Sequence, residues 1–197
     1  MVNSCGAYHC GTGIHLVATP DRWLEHVFLS QNAVDNCVGS GFRIDSSPSG
    51  SVRRVQSNGD WSSSNQGAGI LVTDHHDAVH DISFFGTRLY NNGEHGVMIN
   101  GGSHISIDGA SIAGNGQVNP EASGIHVGAC KLLTIRNSTV GAYSGFGPTQ
   151  KHGISGLDRV DRGLISGNVF EPSRASTFET LNPKVAMHSN LDLHAVQ

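Results

Sequence analysis

Gly13-Ile-His-Leu16, Gly41-Phe-Arg-Ile44, Gly69-Ile-Leu-Val72, Gly96-Val-Met-Ile99, Gly124-Ile-His-Val127 and Gly153-Ile-Ser-Gly156 are six versions of one short phrase, a glycine followed by alternating residues. Successive glycines lie 28, 28, 27, 28 and 29 residues apart. A fixed interval of this size marks a repeat architecture in which each repeat is too small to bury its own apolar face. A second pattern keeps phase with the first: Val27, Leu29 and Val34; Ile82, Phe84 and Leu89; Ile105, Ile107 and Ile112; Leu133, Ile135 and Val140. Ile165 and Phe170 continue it, while the second coil is degenerate, with Val55 alone in place.

Alternation means that every second side chain faces one way, as on a strand. Gly86-Thr87, Gly109-Ala110 and Asn137-Ser138 interrupt the second pattern with turn-forming residues. Each repeat therefore reads as three short strands and three turns. Stacked laps would bury each inward side chain against its equivalents above and below, about 4.8 Å away. The expectation is an all-β protein, a right-handed parallel β-helix of about six coils with roughly 28 residues per coil. Thr19-Pro20-Asp21 followed by Trp23, Leu24, Val27 and Phe28 also reads as a helix start. The repeat phase favours a strand from about Val27, with room for a short helix before it.

Residues 1–12 read as the tail end of a preceding coil, with Val2 in its third-strand position, and 13–172 as the β-helix. Residues 173–197, with Phe178, Leu181, Val185, Leu191 and Leu193, read as a segment that caps the last coil or meets a partner. An opening partway round a coil suggests part of a longer protein, or an end covered by a partner.

The 197 residues carry a net charge of −4 and only 14% charged side chains, which gives no basic stripe for nucleic acid. No apolar run is long enough to span a membrane, and the first ten residues lack signal-peptide features. Glycine is abundant, 26 residues, but without the three-residue period of collagen. Cys5, Cys10, Cys37 and Cys130 form no Cys-x-x-Cys motif. Cys5 and Cys10, around His9, can be a disulfide, half a zinc site, or reduced, partly buried thiols.

The coil pattern from Gly13 to Phe170 resembles the right-handed β-helix proteins of the pectin-lyase-like superfamily: pectate lyases, polygalacturonases, alginate C5-epimerases and phage tailspike depolymerases. The resemblance implies a polysaccharide partner and an extracellular, cell-surface or virion setting. It also implies, through the tailspikes, a possible homotrimer. It does not fix the chemistry.

Outward positions of the first strand form two ladders: His15, Arg43, Leu71, Met98, His126 and Ser155, then Val17, Asp45, Thr73, Asn100, Gly128 and Leu157. With flanking loops they would floor a groove suited to a chain-like substrate. The densest polar cluster, Asp74-His75-His76-Asp77 with His80 and Asp81, follows the third such strand. Asp74, Asp77 and Asp45 are the acid/base candidates, with His76 assisting proton transfer. Carboxylates one or two coils apart would lie roughly 5–10 Å apart, which overlaps the spacing in glycoside hydrolases. Arg43, Asn100, His104 and His126 are candidate substrate contacts, with Arg43 placed to neutralise a uronate. Glu94, Glu121 and Lys151 are loop residues able to reach substrate. Trp23, Trp61, Tyr90 and Tyr143 can stack on sugars.

The cluster also resembles the Asp-Pro-His-Asp motif of alginate C5-epimerases. Asp74, His76 and Asp77 match, and His75 replaces the proline. In that family the Asp and His belong to the site that handles the proton at C5 of a uronic acid. Leu71 stands where the bacterial enzymes tend to carry a tyrosine, so the tyrosine proton donor is missing here. No cofactor is required by this reading, and no metal site is assigned. Asp74, Asp77 and Asp81 are nevertheless oxygen ligands of the kind Ca²⁺ takes. The competing classes are a glycan-binding or adhesin module without turnover and a structural spike segment, with the cluster then a solvated turn.

Overall fold

The computed structural model describes residues 1–75, 77–142 and 148–193. The chain winds as a parallel β-solenoid with three faces. The first face stacks the strands Val2–Asn3, Trp23–Ser30, Ser51–Asn58, Val79–Phe85, Ser103–Asp108, the second half of Ile125–Arg136, Val160–Ser166 and Val185–His188. The second stacks eight short strands, from Gly6–Tyr8 to Leu191–Asp192. The third carries the repeat phrase: Ile14–Val17, Phe42–Asp45, Ile70–Thr73, Val97–Asn100, the start of Ile125–Arg136, His152–Ser155 and Ser176–Phe178. All strand pairs among the described residues are parallel.

The inward columns form as the period demands. Phe42, Ile70, Val97, Ile125 and Ile154 are consecutive partners and are buried. Val55, Ile82, Ile105 and Leu133 form a second file, and Leu89, Ile112, Val140 and Phe170 a third. Burying each such side chain contributes about 1.5–3 kcal/mol. In the degenerate coil, Ser57 and Ser62 take inward places and are satisfied locally. The Ser57 hydroxyl donates to Asp60 Oδ2 at 2.5 Å, and that of Ser62 to the Gly69 carbonyl at 2.9 Å.

Two corners are bound by side-chain ladders. Between the second and third faces, Asn65 Oδ1 accepts from the Cys37 N–H, Asn92 Oδ1 from the Asn65 N–H, and Asn115 Oδ1 from the Asn92 N–H, at 2.9–3.2 Å. Buried backbone donors at a turn need such partners, and one amide per lap supplies them.

The repeat glycines do not carry the positive φ that turn glycines often serve. A Cβ on Gly96 would lie 2.4 Å from Ile112 Cγ2 and 2.7 Å from the Gly124 carbonyl oxygen. Close approach of the second face and of the next lap's backbone, not backbone conformation, requires glycine there. Positive φ falls instead on corner residues such as Asn36, Asn91 and Asn137, and on His26, Arg54, Asp81 and His104, which bend the first face.

Three sequence expectations change, and the last segment takes a described form. Trp23–Ser30 is strand throughout, with only a turn before it. Val2 pairs with Leu29, and Ala7 takes the place under Val34. Ile125–Arg136 runs unbroken from the third face onto the first, so that lap lacks a turn and the two faces form one 14-stranded sheet. Past residue 172 the chain goes on winding: Phe178 pairs with Ile154 and Met187 with Ile165, in a lap shorter than the repeat. The four cysteines are free thiols, with Cys37 and Cys130 buried. No helix among the described residues is long and apolar enough to cross a membrane.

Candidate functional site

The outward ladder of the third face is as the period requires. His15, Arg43, Leu71, Met98, His126 and Ser155 are successive partners. The second ladder holds from Val17 through Asp45 and Thr73 to Asn100 and then shifts. Gly128 is extruded as a bulge, so Asn100 faces Ala129. A Cβ on Gly128 would lie 2.5 Å from Asn100 Oδ1, so the bulge lies against that side chain. Leu157 is not on the ladder: it sits in a 3₁₀ turn, Leu157–Arg159, and is buried.

Along one edge of this face, where the chain turns toward the first face, lies a cavity of about 340 Å³. Asp74 and Asp77 line it from one lap, Gly101 and Gly102 from the next, and Ala129, Cys130 and Lys131 from the long strand. Arg159 and Asp161 come from the lap beyond. Asp74 is anchored: its Oδ1 accepts from the Ala78 N–H at 2.8 Å, the Val79 N–H at 3.1 Å and the Ser46 hydroxyl at 3.2 Å. Asp77 is exposed and 2.6 Å from Lys131 Nζ. The hydrogen bond that Lys131 donates to Asp77, with the charges of Asp161 and Asp74 behind it, raises the Lys131 ammonium above its ordinary pKa. Burial pushes the Cys130 thiol up to about 11, so it stays protonated and unreactive. Gly101 and Gly102 keep the floor open, since a Cβ on Gly101 would meet Asp74 Cβ at 2.8 Å. His76, the third match to the Asp-Pro-His-Asp motif, and Tyr143 lie outside the described residues.

Asp45 is not drawn into this cavity. Its Oδ2 accepts from Arg43 Nε at 2.6 Å and pairs with His15 Nε2 at 2.8 Å, and its Oδ1 is buried without a partner. Arg43 is thereby held at its own lap by a carboxylate of the protein. Asp81 turns toward His80 Nδ1, 3.1 Å away, with His104 Nδ1 at 4.0 Å. His104 itself stands on the first face, past the corner, because only Gly101 and Gly102 separate the strand Val97–Asn100 from Ser103–Asp108. Asp74, Asp77 and Asp81 form no shared cage, and no three His, Cys, Asp or Glu among the described residues are placed to hold a metal. Trp23, Trp61 and Tyr90 also lie off the groove. Trp61 and Tyr90 pack edge to face on the second sheet, 5.6 Å between centroids, and Arg53 covers Trp23 on the first.

The opposite edge of the third face carries a second cavity, about 220 Å³, lined by His95, Asn119, Glu121, Ser123, His126, Lys151, His152, Ser155 and Glu179. His126, Glu121 and Lys151 are sequence candidates. Glu94 stays on the same corner, within 3.4 Å of Asn119 Nδ2, but outside the lining. His95, His152, Ser123 and Glu179 were not legible as site residues, although His95, Ser123 and His152 each immediately precede a repeat glycine. Read down the laps, that position is Thr12, Ser40, Ala68, His95, Ser123 and His152.

The rings of His95 and His126 stack, 4.7 Å between centroids and 21° from parallel. Burial, then the neighbouring His126, lowers His95 to about 4. Burial likewise lowers His126 and His152, with Glu179 opposing it at both. The three imidazoles are thus kept neutral at pH 7. Glu121 pairs with Lys151, whose hydrogen bond and charge lower the Glu121 pKa.

The fold and its groove define a protein of the parallel β-helix class. Its architecture is shared with the Azotobacter vinelandii mannuronan C-5 epimerase AlgE6 A-module (TM-score 0.73, 14% identity, 96% of this chain and 57% of that one). It is shared also with the AlgE4 A-module from the same organism (0.69, 14%, 94% and 57%). An alginate lyase from Paenibacillus sp. str. FPU-7 is similar as well (0.66, 12%, 96% and 76%). The chain spans little more than half the length of the two epimerase modules, and at these identities the likeness is one of fold. The sequence matches no protein-family model and no curated protein.

Proposed function

We propose that this chain processes an acidic polysaccharide, with the cavity of Asp74, Asp77, Lys131, Arg159 and Asp161 as the reacting centre and the third face as the groove that holds the polymer. One observation carries the reading. Carboxylates and cations from three different laps converge on a single cavity at the edge of that groove. Lys131 and Arg159 would take the carboxylate of a uronate unit, withdrawing charge and making the proton at its C5 more acidic. A carboxylate, Asp77 or Asp161, would accept that proton. Return of a proton from water to the other face of C5 inverts the sugar, whereas departure of the 4-linked oxygen, which takes a proton from water, cleaves the chain and leaves an unsaturated unit. The partial Asp-Pro-His-Asp match at Asp74–Asp77 and the fold shared with alginate-acting proteins support a uronan as the substrate.

A glycan-binding module without turnover is the second reading. It is favoured by Asp74, whose Oδ1 already serves three hydrogen bonds of its own turn. Incubation with polymannuronate, polygalacturonate and neutral polysaccharides separates the two. Ultraviolet absorbance reports unsaturated uronates, a reducing-end assay reports hydrolysis, and the anomeric proton spectrum reports inversion. Turnover of a uronan that Asp77→Asn abolishes while binding persists is the expected result. Binding with no turnover by the wild type selects the module, and no binding of any uronan overturns the proposal.

A further inference from the structure

The second cavity is built of groups that the proposed reaction does not use. Column by column, the residues before the repeat glycines stack as His95, Ser123 and His152, and Ser176 follows His152. Beside them His126 faces Ser155. These contacts fix two of the ring tautomers. His95 Nδ1 accepts from the Ser123 N–H at 2.9 Å, so its ring proton sits on Nε2. The Ser176 hydroxyl donates to the Phe178 carbonyl at 2.8 Å, so its oxygen accepts from His152 Nδ1–H at 2.7 Å. His152 Nε2 is then a bare acceptor. The cavity thus offers one fixed ring donor and one fixed ring acceptor.

Ser123 supplies an independent observation. Its side chain is 1% exposed, and its hydroxyl has no hydrogen-bond partner. A buried hydroxyl on a cavity wall with no partner costs free energy until something polar satisfies it. The charge balance then restricts what that something is. Lys151 is already paired with Glu121, Glu179 is a second carboxylate, and the imidazoles are neutral. Within the lining, a carboxylate ligand would meet two carboxylates and one cation, Lys151, already committed to Glu121, while Arg174 and Arg159 act on Glu121 and His126 from outside it. A sugar hydroxyl, donor and acceptor at once, matches the mixed set.

We infer that the cavity between His95, His126, His152 and Ser123 is a subsite for an uncharged pyranose unit, recognised through its hydroxyl groups. The inference rests on the groove reading only in taking the ligand to be a saccharide. His126 and Lys131 share the strand Ile125–Arg136, so the two cavities lie roughly 10–15 Å apart across the third face. One polymer would then present a charged unit at one edge and an uncharged unit at the other.

The test is a titration of ¹⁵N-labelled protein, following the imidazole signals, with neutral manno-, gluco- and galacto-oligosaccharides and with mannuronate and galacturonate oligomers. A neutral oligosaccharide is expected to shift the His95, His126 and His152 signals. The same shift should survive in Lys131→Gln, which weakens the other cavity and, unlike a change at Arg159, leaves the charges acting on His126 in place. Ser123→Ala, which removes the unsatisfied hydroxyl and adds no bulk, should weaken binding roughly fivefold to tenfold. Imidazole signals that respond only to uronates or only to Zn²⁺, or that respond to no saccharide, overturn the inference, as does unchanged affinity in Ser123→Ala. Loss of uronan turnover with the neutral titration intact would instead count against the reacting centre alone.

Discussion

The imidazole of His126 lies stacked on that of His95, their centroids 4.7 Å apart, and both rings are kept neutral by burial. The unfolded chain protonates such a ring below its ordinary value of 6.5, whereas folded His95 resists until about 4. In that window the unfolded state binds more protons, so stability present at neutral pH is lost as pH falls. His95 alone is expected to remove about 2 kcal/mol between pH 7 and pH 5. Urea unfolding of wild type and His95→Gln at the two pH values checks this. Equal losses in both proteins would show that His95 is not the source.

Asp60 answers for the corner below it. The carboxylate is buried, its Oδ1 accepts from Asn32 N–H and Nδ2 at 2.8 and 2.9 Å, and its Oδ2 accepts from Ser57. Asp60→Leu leaves these donors unsatisfied and is expected to cost roughly 3–5 kcal/mol. Asp60→Asn keeps an acceptor at Oδ1 and should cost much less. The midpoints of urea unfolding measure both.

At Asp74 the two obvious substitutions should separate folding from chemistry. Asn preserves the Oδ1 acceptor for the Ala78 and Val79 N–H groups, at an expected cost below about 1 kcal/mol, whereas Ala forfeits it at about 2–3 kcal/mol. Thermal melts read the difference. If Asp74→Asn melts like the wild type yet turns over no uronan, the carboxylate charge itself serves the reaction.

Lys131 and Arg159 should matter for charged polymers only. Lys131→Gln with Arg159→Gln is expected to lower kcat/KM on a uronan roughly 10–100-fold, an equivalent of about 1.4–2.8 kcal/mol. Rising salt should erode the wild-type advantage. Initial rates at two ionic strengths test it, and an unchanged rate would remove both cations from substrate binding.

The solenoid was legible because its cause is periodic. Ile70, Val97 and Ile125 could be placed in one file from spacing alone, and the structure pairs them in register. The outward ladder from His15 to Ser155 followed from the same alternation. The sites were less legible because they form at corners, where spacing is irregular. The unbroken strand Ile125–Arg136 removes a turn and extrudes Gly128, which brings Lys131, Arg159 and Asp161 beside Asp77 in a way no repeat count reveals. Asp45 was expected one coil from the Asp74 cluster as an acid/base candidate, but Arg43 and His15 claim its carboxylate. His95 and His152 were hidden in plain turn sequence, since a column of His, Ser and His spread over successive laps has no local motif.

The asparagine ladder has a consequence for how such a chain can change length. Asn65, Asn92 and Asn115 each accept the same bond from the lap below, and Asn65 and Asn92 each donate it to the lap above. A whole turn can therefore be duplicated or excised between equivalent asparagines and the severed surfaces will rejoin like with like. Substrate reach and sequence length would then evolve in quanta of one winding, without renegotiating the interior.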